Sequence, residues 1–135
     1  EHHAGQVALP GGEREAAETL QACALREARE EIGLDVAIAL LGRLSPIPIQ
    51  VSRYRVDPIV AWCDHQPQFT LASDEVERLL FADPDELARR GPTLTVERSR
   101  DGLTIPVPAY DVDGAAVWGA TGFILAEFAA LWDEL

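Results

Sequence analysis

The chain has 135 residues, 47% of them hydrophobic, enough for one domain with a real core and too apolar for a disordered tract. Its 23 acidic residues against 11 basic ones give a net charge of -12, which argues against a nucleic-acid backbone as partner and would repel a phosphate-bearing ligand unless cations stood between them. No apolar run reaches bilayer length, and Cys23 and Cys63 show no metal-type spacing, so both read as buried thiols of a reducing cytoplasm.

Residues 5–9 (GQVAL) read as a short strand, closed by a turn at Pro10, Gly11 and Gly12. Residues 18–32 read as a helix stopped by Gly33 as a C-terminal cap. A strand is expected over 34–44 (LDVAIALLGRL), broken by Pro46 and Pro48, and a second over 54–64 (YRVDPIVAWCD), where Pro58 marks an edge or a bulge. Residues 76–82 (VERLLFA) read as a further strand, leading into a turn or short helix over 83–90. The runs 93–99 and 103–112 suggest a hairpin around Asp101 and Gly102. The last segment repeats apolar residues at Ile124, Phe128, Leu131 and Leu135, helical spacing with one buried face, and Trp118 and Gly119 read as its anchor in the core. Strands mixed with two long helices point to an α/β or α+β sandwich.

The helix carries the local anomaly. Glu27, Glu30 and Glu31 are offset by three and four residues, which puts them on one face a turn apart, while Leu25, Ala28 and Ile32 point away and can pack on a sheet. Like charges at that spacing repel, and they crowd the C-terminal end, where the helix dipole disfavours anions. Taken alone, such a run is more often a solvated face with Arg26 and Arg29 pairing to Glu30 and its neighbours. The competing reading is a functional site in which a divalent cation compensates the repulsion, and carboxylate oxygens suit hard ions such as Mg²⁺ or Mn²⁺.

The flanking residues favour the second reading. Gly12, five residues, Glu18, seven residues, then Arg26-Glu27-Ala28-Arg29-Glu30-Glu31-Ile32-Gly33-Leu34 resembles the Nudix box, G-x5-E-x7-R-E-U-x-E-E-x-G-U with U aliphatic. Ala28 stands where a larger aliphatic is usual, a small change in packing. Upstream, HHAGQVALPGG resembles the H-x-G-Q-V-x-F-P-G-G motif of coenzyme A diphosphatases, with Leu9 in place of Phe and Glu1 where that branch often has Arg. Downstream, VDPIVAW, SDEVERLLFADPDEL and VWGATGFIL resemble further segments of the same branch, in order, so the likeness covers most of the chain.

The resemblance implies a Nudix-type α/β/α sandwich with a mixed β-sheet and a loop–helix–loop motif. It implies one domain over residues 1–135, lacking its N-terminal strand region. It implies a cytoplasmic, metal-dependent enzyme that uses Mg²⁺ or Mn²⁺ to hydrolyse CoA or acyl-CoA to 3′,5′-ADP and 4′-phosphopantetheine or its acyl form. The substrate would be a small CoA-like nucleotide, with no nucleic acid or membrane as partner, and a homodimer is in keeping with the superfamily. Alternatives are hydrolysis of another nucleoside diphosphate derivative (ADP-ribose, a dinucleotide or a nucleoside triphosphate), or a Nudix-fold binding module without turnover. Carried over by position, Glu27, Glu30 and Glu31 would be metal ligands, with Glu27 or Glu30 alternatively taking the proton of the attacking water. Arg26 would orient a glutamate through an ion pair, Glu18 would support the metal site or the helix start, and Gly12 and Gly33 would permit tight turns. Glu75 reads equally as an extra metal ligand or base and as a surface carboxylate. His2, His3, Arg53 and Arg55 are nearer to ordinary exposed residues than to phosphate contacts.

Overall fold

The computed structural model describes residues 6–135. His2, His3 and the first residue of the strand expected over 5–9 lie outside the described residues. The described residues form two compact units, Leu9–Leu79 and residues 6–8 with Leu80–Leu135. Among the described residues, three helices and several antiparallel strand pairings make a mixed α/β fold. Among the described residues, no helix is long and apolar enough to cross a membrane.

In the first unit, helix α1 spans Leu20–Ile32. Thr19 caps it, its hydroxyl accepting from the Ala22 amide at 3.1 Å. Gly33 ends it in the left-handed region with φ 68°, donating to the Arg29 carbonyl. The last two helix carbonyls, which have no partner within the helix, are taken by a later segment: Ala72 N–H donates to Glu31 O at 2.9 Å and Thr70 N–H to Ile32 O at 3.0 Å. Cys23 and Ala28 are buried on the inner side, and the helix packs on the strand Ile59–Trp62.

Strand β1 (Ala39–Arg43) pairs antiparallel with β4 (Ile59–Trp62), with an irregular register between Leu40 and Gly42. Short β2 (Ile47–Pro48) pairs with β3 (Arg55–Val56). The single strand expected over 54–64 is therefore two, each with its own partner. Pro58 has no N–H to give, and the chain changes sheets across Asp57 and Pro58. The expected mixed sheet is seen, among the described residues, as antiparallel pairings only.

In the second unit, α2 (Pro84–Arg90) begins with Asp83 as N-cap and Pro84 in the first turn, where the missing N–H costs nothing. Strands β5 (Leu94–Arg100) and β6 (Leu103–Val112) form the expected hairpin, its two turn residues Asp101 and Gly102 both at positive φ. Asp113 and Gly114 repeat that turn chemistry and bring in β7 (Ala115–Val117). Helix α3 spans Gly119–Asp133. Leu87, Tyr110, Val112, Val117 and Ala129 form the core, with Leu80, Ala88 and Leu125 against it.

Three further expectations differ from what is seen. The described residues of 5–9 and all of 76–82 carry no strand. In the latter, Val76 is turned back onto the Ala72 carbonyl at 2.8 Å, and Leu80 enters the second unit's core. The face expected on α3 is only partly right: Ile124 is buried, but Leu131 is exposed and Leu135 lies beyond the helix end. Small Ala129, not Leu131, faces the core. Trp118 precedes the helix half-buried, beneath the Arg98 guanidinium at 4.3 Å.

Candidate active site

Three short links lay the glycine-rich loop along α1. The Gly11 amide donates to Glu31 Oε1 at 3.2 Å, the Cys23 thiol donates to the Gly12 carbonyl at 3.5 Å, and Arg26 Nη2 donates to the Glu13 carbonyl at 3.2 Å. Gly12 lies so close to Glu27 that a Cβ there would overlap the carboxylate. From the other side, the Tyr54 hydroxyl donates to Glu13 at 3.1 Å, a bond that raises the Tyr54 pKa.

Arg26 is the hub. Its Nε and Nη2 donate to the two Glu18 oxygens at 2.7 and 3.1 Å, a bidentate fork. Its Nη1 reaches Glu27 Oε1 at 2.9 Å and Glu30 Oε2 at 3.3 Å. Glu18 and Glu27 are largely sheltered, whereas Glu30 is exposed. The hydrogen bond from Arg26 is the main cause holding the Glu18 carboxyl down at about 2, with the Glu15 amide adding to it. Arg29, by contrast, lies near Asp35 at 3.9 Å, not near Glu30.

Glu31 is shifted the other way. Burial pushes its carboxyl up, the Gly11 amide opposes this, and hydrogen bonding and charge from Glu27, with charge from Glu75, push it further. Glu75 is brought near by the segment that caps α1, through Thr70 and Ala72. Cys23 is pushed up as well, chiefly by burial.

The structure thus gathers Glu18, Arg26, Glu27, Glu30 and Glu31 on α1 and its leading loop, and adds the charge of Glu75. The carboxylate oxygens of Glu27, Glu30 and Glu31 do not all lie within 4.8 Å of one another. Among the described residues only Cys63, Asp64 and His65 do so as a group. Glu30 is drawn to Arg26 and Glu31 to the Gly11 amide, so one ion accepting all three would need a side-chain rotation. The donor set nonetheless fits a hard divalent cation: it offers oxygen ligands only, and burial first, then the neighbouring Glu27 and Glu75, disfavour the ionised Glu31 that a cation would compensate. Arg55 is paired with Asp57 at 3.0 Å, as an ordinary surface arginine would be. The links of Gly11 and of Tyr54 to this site were not foreseen from sequence, and no local pattern signals them. Cys63 is only half-buried, and adjacency to Asp64 and His65 is the one signal that could have drawn notice to it.

Comparison with known proteins bears on these residues. The Nudix domain family model matches residues 1–101. The chain is 35% identical over 132 residues to an uncharacterized Nudix hydrolase NudL of Pectobacterium atrosepticum, covering 94% of this chain and 67% of that protein. The proteins of the same name in Escherichia coli and Klebsiella pneumoniae are 34% and 33% identical, with the same coverage.

Proposed function

Since the chain belongs to the Nudix hydrolase family, and so to enzymes that hydrolyse diphosphates in small nucleotide-like substrates, we propose that its substrate is coenzyme A or an acyl-CoA. The products are 3′,5′-ADP and 4′-phosphopantetheine or its acyl form. The observation that carries this reading is the bond from the Gly11 amide to Glu31. It ties the end of the sequence stretch most like that of CoA diphosphatases to the carboxylate helix, which supports reading loop and helix as parts of one site.

Glu27, Glu30 and Glu31 would hold Mg²⁺ or Mn²⁺, with Glu75 as a further ligand or base. Such an ion, when bound, neutralises the diphosphate and acidifies a water. The protein's own part is positioning and proton transfer. Glu18 fixes Arg26, and Arg26 fixes Glu27 and, more loosely, Glu30. Gly12 leaves room for the Glu27 carboxylate against the loop. Glu27 or Glu30, in place of holding the ion, takes the proton of a water whose oxygen attacks phosphorus; the bond to the bridging oxygen breaks, leaving two phosphomonoesters. The free thiols of Cys23 and Cys63 are in keeping with a reducing cytoplasm.

The test is product analysis by mass spectrometry after incubation with Mg²⁺ or Mn²⁺ and CoA, acetyl-CoA, ADP-ribose or a nucleoside triphosphate. The expected result is 3′,5′-ADP from CoA or acetyl-CoA. Turnover of ADP-ribose or the triphosphate without turnover of either CoA compound overturns the substrate assignment. No turnover of any compound, with tight binding, overturns catalysis.

A further inference from the structure

We propose that Cys63, Asp64 and His65 form a second metal site, for a borderline-soft divalent cation such as Zn²⁺, in the turn that follows β4. A thiol sulfur, a carboxylate oxygen and a ring nitrogen from these residues lie within 4.8 Å of one another. An ion bonded at about 2.0–2.3 Å to each ligand spans at most about 4.0–4.6 Å between ligand atoms, so closing on an ion asks for a shift of no more than a few tenths of an ångström. The turn folds back on itself: His65 Nδ1 and Asp64 Oδ1 are 2.7 Å apart, and the Cys63 thiol donates to the His65 carbonyl at 2.9 Å. Thiol, carboxylate and imidazole thus stand close together on three successive residues.

The donor set differs in kind from that of α1. Sulfur and nitrogen favour Zn²⁺ or Co²⁺ over Mg²⁺, whereas the helix offers oxygen alone. Asp64 and His65 are exposed and Cys63 is half-buried, so an ion has access and water can complete its coordination. Binding releases the thiol proton to solvent and leaves a thiolate ligand. From this turn the chain runs on to Thr70 and Ala72, which cap α1, and then to Glu75. A bound ion would fix the start of that segment. The proposal does not depend on the identity of the substrate.

The test is Co²⁺ titration of the full chain in excess Mg²⁺, which occupies oxygen sites, followed by absorbance. A thiolate-to-cobalt charge-transfer band is expected, and carboxylate ligation cannot produce it. Cys63→Ser should abolish the band. His65→Ala should keep the thiolate but weaken cobalt binding by about tenfold or more, since even supporting residues around a metal contribute that much. Absence of the band in the parent protein overturns the proposal, as does a band that persists in Cys63→Ser, which would place the cobalt on Cys23. Unchanged affinity in His65→Ala also overturns the three-ligand site.

Discussion

Glu18 and Arg26, eight residues apart, meet through two hydrogen bonds of 2.7 and 3.1 Å, and the same guanidinium then reaches Glu27 and Glu30. A carboxylate that precedes the helix cap therefore sets the direction of two carboxylates on the helix. Glu18→Gln keeps the shape but loses the charge that holds the fork. It should lower kcat by about 10–100-fold, the usual loss when a group supporting a metal site is removed. Arg26→Lys should act in the same direction, because an ammonium cannot bridge both Glu18 oxygens in a planar fork. Steady-state kinetics check both, and an unchanged kcat in Glu18→Gln would reduce Glu18 to a helix-start residue.

The same pair predicts part of the acid response. Glu18 is held at about 2 against an ordinary 4.5, mainly by Arg26. A depressed folded-state value means stability that is present above 4.5 and is lost as pH falls toward 2. Glu18→Gln should flatten the fall of Tm across that window. Glu31 has the opposite sign: its raised value disfavours the folded state increasingly as pH rises from 4.5 through its folded-state value. A cation on the ionised group offsets this, so the Tm increase from Mg²⁺ or Mn²⁺ should be larger at about pH 7 than at about pH 4. Thermal denaturation with and without metal at both values checks it, and an equal increase would argue against Glu31 as a ligand.

Glu30→Gln separates chemistry from stability. The Glu30 side chain is 58% exposed and its Arg26 contact, at 3.3 Å, is longer than that of Glu27. Loss of its charge should leave unfolding free energy within about 0.5 kcal/mol, as at other surface sites. Activity should drop by about 100-fold or more if the group ligates metal or accepts the water proton. Circular dichroism, urea denaturation and kinetics on one preparation decide the matter, and near-normal turnover removes Glu30 from the metal site.

Where structure follows from local chemistry, it could be read in the residues. Gly33 ends α1, a short helix stands within 83–90, and Asp101 with Gly102 close the hairpin, each through a backbone need met within a few residues, whereas α1 begins after the Thr19 cap and not at 18. Strands are different, because an apolar alternation does not say whether a partner edge exists. Residues 76–82 have the pattern and no ladder, while the 54–64 run is divided where Pro58 changes partner sheets. On α3, spacing alone could not rank Ala129 above Leu131 as the core residue, since a helical repeat does not say which side of the helix its neighbours cover; Ala129 lies in the core and Leu131 is exposed. The site divides likewise. The carboxylates and Arg26 are a fixed-spacing pattern on one helix, whereas the Gly11, Tyr54 and Thr70 contacts join residues distant in sequence.

The two glycines that frame α1 should fail in different ways when changed to alanine. At Gly12 the new Cβ would meet the Glu27 carboxylate, the free end of a flexible side chain that can swing aside. The fold then survives at small cost, but Glu27 leaves the position in which Arg26 and the loop hold it, and activity falls. At Gly33 the residue sits at φ 68°, and the Cβ would lie 2.8 Å and 2.9 Å from the backbone oxygen and nitrogen of Thr70. Backbone cannot rotate away as a carboxylate can. Gly33→Ala should therefore cost about 1–3 kcal/mol in unfolding free energy, the scale of a residue held in a strained backbone region. It should also loosen the segment that caps the helix and carries Glu75, so that activity falls together with stability. Urea denaturation and kinetics on the two variants distinguish them: a destabilised Gly12→Ala or a stable, fully active Gly33→Ala would show that the loop and the Thr70 segment do not hold the helix in this way.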